Sequence, residues 1–170
     1  MGGINCPPGN FDPASSRVMD EYVHKLADYC EPLFDGVASF YAVNADIERM
    51  VKGKLDLAEV IGALEASADC LRVSSQRLDI VAPMWELVSN EPVDFRIQSA
   101  KLHHAIEAIS EARAALQSLP SDSGINTQYE IWKRYDITAS LTDASSAISD
   151  ALAWQTRFAK HSAILVAAAA

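Results

Sequence analysis

Residues 18–33 read VMDEYVHKLADYCEPL, and within them Val18, Tyr22, Leu26, Tyr29 and Leu33 recur every three or four positions. That interval matches the α-helical turn, so the five side chains share one stripe while Asp20 and Glu31 fall on the opposite side. The same spacing returns in three further segments, which makes the chain all-α.

On the C-terminal side of this stretch, Pro32 lacks an amide hydrogen and crowds the preceding turn, which predicts a kink or short break before Gly36. Helical spacing resumes through Val37, Phe40, Asn44, Ile47 and Val51 and stops near Gly53. On the N-terminal side, Pro13 suits a first helical turn and Asp12 is a candidate cap. Residues 1–12 hold Gly2, Gly3, Pro7, Pro8 and Gly9 and no periodic apolar face, so they read as a flexible leader. Residues 13–170 read as a single helical-bundle domain.

Asp56 to Glu59 has the form of a capping box, followed by an inner face of Leu57, Ile61, Leu64, Ala68, Leu71, Ser75 and Leu78. Pro83 either ends this helix near Val81 or bends it and lets Met84 to Val88 continue, with Trp85 in the connector region. A third helix is expected from Val93 to Leu119, started by Ser89 or Asn90 and buried through Phe95, Leu102, Ile106, Ile109 and Leu116. Leu119 to Gly124 is the clearest connector, and Thr127 to Glu130 is a second capping box. The last arm carries Ile131, Tyr135, Leu141, Ile148, Leu152, Phe158 and Leu165; Ser140 to Asp143 is placed to recap it if it breaks. Four arms joined by short connections pack as an antiparallel four-helix bundle with long first and last arms, kinked or broken.

With 170 residues and 49% hydrophobic content, the chain can bury a core without a metal or disulfide staple. A net charge of -9, with no run of Lys or Arg, argues against nucleic acid and against an anionic membrane surface. The apolar stretch Ala163 to Ala170 is less than half of the roughly 20 residues a membrane span needs. Three cysteines without CxxC spacing suit a reducing, cytoplasmic setting.

Chemical constellations are sparse. A carboxylate-bridged dimetal bundle uses Glu-x-x-His units, which are absent; His103 and His104 precede Glu107, and His24 and His161 lack comparable neighbours. No metal or other cofactor is expected. His24, His104 and His161 are phosphoacceptors by residue type, but none sits in a basic, glycine-bearing setting. Neither a Gly-x-Ser-x-Gly elbow nor a glycine-rich phosphate loop occurs. Arg96 and His103 have an Arg-x6-His spacing that resembles the active-site signature of HEPN domains, helical domains that often cleave RNA as dimers. In that resemblance Arg96 stabilises phosphate charge and His103 performs acid-base chemistry.

The aromatic residues give the stronger indication. Trp132, Trp154, Trp85, Tyr129, Tyr135 and Phe158 are placed to cover an end of the bundle or to anchor a partner. The sequence thus predicts a noncatalytic interaction or regulatory protein, an adaptor or immunity factor, whose acidic faces meet a basic protein or which self-associates through Phe158 and the tail. The alternative is a sensory bundle with a small ligand held by Tyr22, Tyr29 and polar residues between Thr138 and Ser149.

Overall fold

The computed structural model describes residues 13–51, 57–118 and 128–170, with side chains described at 16–43, 58–118 and 136–170. Four helices occupy these segments: α1 (Pro13–Val51), α2 (Leu57–Val88), α3 (Phe95–Gln117) and α4 (Gln128–Ala169). They form an antiparallel bundle in which α1 packs on α2, α2 on α3 and α3 on α4, while α1 and α4 meet across a wider seam. The leader, both proposed capping boxes and the Leu119 to Gly124 connector lie wholly or partly outside the described residues.

The apolar stripes close on one centre. From α1 come Tyr22, Tyr29, Leu33, Val37 and Phe40, from α2 Leu64, Ala68, Leu71 and Leu78, from α3 Leu102, Ile106, Ile109 and Leu116, and from α4 Leu141, Ile148 and Phe158. Each large side chain so buried contributes about 1.5–3 kcal/mol of hydrophobic free energy, which is what holds four separately marginal helices together.

Both long arms are uninterrupted helices. In α1 this depends on α2, because Pro32 cannot donate to the carbonyl of Asp28 one turn earlier. Arg77 supplies the missing donor, its Nη1 lying 2.6 Å from the Asp28 carbonyl oxygen. Ser74 donates to the carbonyl of Tyr29 at 3.0 Å and Ser67 to that of Gly36 at 2.7 Å. Three donors on α2 thus meet three α1 carbonyls flanking the proline. The two helices approach closely enough that a Cβ on Gly36 would lie 3.1 Å from the Cys70 Cβ and from Leu71 side-chain atoms. In α4 the Ser- and Thr-rich stretch remains helical, with the Thr142 hydroxyl turned back onto the carbonyl of Thr138 at 2.8 Å.

α2 also passes through its proline, Pro83, and ends at Val88, so Trp85 is a helical residue instead of a connector residue. The reversal is made by Ser89 to Asp94. Trp85 Nε1 donates to the carbonyl of Glu91 at 2.8 Å, and the Glu91 amide donates to Ser89 Oγ at 3.1 Å. α3 begins two residues later than the spacing predicts because Asp94 is its cap, accepting from the Arg96 amide at 3.0 Å. Surface ion pairs Arg113–Glu65 and Lys101–Asp150 join α3 to its neighbours, each worth about 0–1 kcal/mol.

Candidate functional site

Trp85, Trp154 and Phe158, three of the six predicted binding aromatics, converge in the interior of the bundle. Trp85 and Phe158 meet edge to face at 5.1 Å, Trp154 stacks on Phe158 at 5.1 Å, and Phe95 contacts both Trp154 and Phe158. Tyr22 joins the cluster through Trp85. All three predicted residues are buried, so the contacts they make are within the protein. The side chains of Trp132, Tyr129 and Tyr135 lie outside the described residues.

Next to this cluster, α1 is linked to α3 and α4 by polar side chains that sequence periodicity could place inward but could not pair. Tyr22 and Ser162 share a 2.8 Å hydrogen bond. Gln98 donates to the Tyr29 hydroxyl at 2.9 Å and to the carbonyl of Ala151 at 3.1 Å. Gln155 donates to Cys30 Sγ at 3.4 Å. The amide oxygens of Gln98 and Gln155 find no donor. Burial pushes the Cys30 thiol up to about 11 and raises both tyrosine hydroxyls as well. These groups remain protonated and neutral at pH 7, which suits structural hydrogen bonding and makes Cys30 a poor nucleophile. Tyr22 and Tyr29 are fully buried, whereas Thr142, Ser145 and Ser149 line a separate surface hollow with Leu141, Ser146 and Asp150. Among the described residues, the lining of that hollow does not include Tyr22 or Tyr29.

Arg96 is exposed and turned back onto its own cap, its Nε 3.1 Å from Asp94 Oδ1 and its Nη2 3.2 Å from Asp94 Oδ2. That pairing holds the Asp94 carboxyl below its ordinary range. His103, also exposed, donates from Nδ1 to the carbonyl of Ser99 at 2.7 Å. His161 contacts Glu91 at 3.1 Å. Among the described residues no three His, Cys, Asp or Glu side chains gather as metal ligands, and no helix is long and apolar enough to cross a membrane.

The feature that sequence reasoning missed is on the outer flank of α1. Val23, Phe34 and Tyr41 are 41%, 53% and 41% exposed, and the exposed Ala27 and Ala38 lie between them on the same side of the helix. The strip extends about 27 Å along α1. Its Val23 end shares a surface hollow with Val166 and Ala169 of α4, and the exposed carboxylates of Asp20, Glu31 and Asp35 lie along one edge of the strip. The available signal was a second apolar row beside the core stripe, too wide for one buried face. Compared with known proteins, the chain matches no family model, no curated protein and no solved structure, so any assignment of function rests on the site itself.

Proposed function

We propose that this protein is a noncatalytic interaction module and that the outer flank of α1 receives a basic protein partner. One observation carries the reading: Phe34 stands half exposed in the middle of an apolar strip edged by Asp20, Glu31 and Asp35. An exposed aromatic with aliphatic neighbours supplies the anchor of an interface, and a row of carboxylates along one edge favours a partner carrying Lys or Arg on that side of its rim. The buried aromatics stiffen the bundle that presents this strip.

A photo-crosslinking amino acid placed at Phe34, with Glu107 on the exposed side of α3 as the control position, tests the reading in cells that make the protein. The expected result is an adduct specific to position 34 that is competed by excess wild-type protein and not by Phe34→Asp. Equal labelling at the two positions, or equal competition by the variant, would overturn it.

A further inference from the structure

The outer face of α2 carries another set of exposed apolar side chains, separate from the α1 strip. Val73, Ile80 and Leu87 are 37%, 48% and 73% exposed, and steps of seven residues return each to nearly the same side of the helix. Gln76 and Pro83, also exposed, fall between them. Val73, Gln76, Ile80, Pro83 and Leu87 therefore follow the alternating three-and-four spacing of a coiled-coil seam, while Leu71, Ser74, Leu78, Val81 and Trp85 of the same helix face the core.

Charge beside the seam selects its occupant. Arg72, Asp79 and Glu86 each precede an apolar seam residue, so all three flank the seam on one side. Turning a second α2 antiparallel about Ile80 sets Val73 against the copy's Leu87, Ile80 against Ile80, and Gln76 against Pro83. The same two-fold brings each Arg72 to within about 3 Å of axial rise from the other copy's Glu86, forming two equivalent pairs of opposite charge against the single like-charged pair of Asp79 with Asp79 of the copy at the same rise. A parallel arrangement would instead bring Arg72 beside Arg77 of the copy. Arg72 contacts Asp69 within its own helix, and a guanidinium has donors enough for a second carboxylate. Glu86 is exposed and holds no ion pair among the described residues.

We infer that the outer face of α2 is a self-association surface on which a second copy of this chain docks antiparallel, with Arg72 and Glu86 fixing the register. It uses a different helix from the proposed α1 partner site, so either can fail without the other.

Analytical ultracentrifugation of the full chain from about 1 to about 500 µM tests this, applied to wild type, Arg72→Glu, Glu86→Arg, the double reversal and Ile80→Asp. Equal helical circular dichroism signals establish that each variant folds. Wild type is expected to dimerise with rising concentration, each single reversal to raise the dissociation constant at least about tenfold, and the double reversal to return it to within about threefold. Ile80→Asp is expected to remain monomeric. A wild-type chain that stays monomeric throughout, or a double reversal as weak as the single ones, would overturn the inference.

Discussion

Arg77 of α2 donates a 2.6 Å hydrogen bond to the carbonyl oxygen of Asp28, the α1 carbonyl that Pro32 leaves without a helical donor. A break in one helix is thereby repaired from another, and the two residues are thermodynamically coupled. Arg77→Met is expected to lower unfolding free energy by about 1–3 kcal/mol in the wild-type background. It should cost less in a Pro32→Ala background, where an amide hydrogen returns to Asp28. Urea titrations of the four proteins measure the coupling; identical costs in both backgrounds would separate Arg77 from the proline.

The contrast between Gly36 and Gly62 tests the closeness of α1 and α2. Gly36→Ala places a methyl group 3.1 Å from Cys70 and Leu71 atoms and is expected to cost about 1–3 kcal/mol through overpacking. Gly62, in the same bundle but with nothing near its added Cβ, should gain about 0.5–1 kcal/mol from helix propensity on changing to Ala. Thermal unfolding of the two variants should therefore shift in opposite directions.

Buried amides of one chemical type have unequal roles here. Gln98 makes two hydrogen bonds that join three helices, whereas Gln155 makes one weak contact to sulfur; both leave an amide oxygen without a donor. Gln155→Met removes an unpaired acceptor while keeping volume, so its effect should lie between neutral and a gain of about 1 kcal/mol. Gln98→Met should lose about 1–3 kcal/mol by stranding the Tyr29 hydroxyl. Equal losses in chemical denaturation would contradict this division.

Alkali should destabilise the bundle through its buried acids. Cys30 is pushed up to about 11 from 9.0, with desolvation as the cause, and Tyr29 and Tyr22 shift in the same direction. A group whose folded pKa is raised contributes stability that is fully present below its unfolded value and lost as pH rises through the folded one. Urea midpoints should therefore fall progressively above about pH 9, and the decline should be shallower in Cys30→Ala. A midpoint that holds level or rises over this window would be inconsistent with the burial of these groups.

Local periodicity was enough to find the four helices and most of their inner faces, because a stripe such as Tyr22, Tyr29, Leu33 and Phe40 records burial directly in its spacing. It misplaced events governed by distant partners. Pro32 reads as a break because the donor that replaces its missing amide hydrogen, Arg77, lies 49 positions along the chain from the Asp28 carbonyl it serves. Trp85 reads as a connector residue because Pro83 precedes it, yet the helix continues and the indole ties down the turn that follows. Of the candidate site, the aromatic residues were visible by type alone. Spacing cannot tell a buried Trp154 from a half-exposed Phe34, since exposure depends on how far apart α1 and α4 stand.

In the proposed interface on the α1 flank, Phe34 is the anchor for a basic protein. The most direct measurement of that role is calorimetric titration of the partner captured through position 34 against wild type and Phe34→Ala, at low and high salt. Expected are at least about a tenfold loss of affinity in the variant, weaker binding by both proteins at high salt, and an unfolding midpoint little changed by the substitution. Undiminished affinity in Phe34→Ala, or binding indifferent to salt, would contradict it.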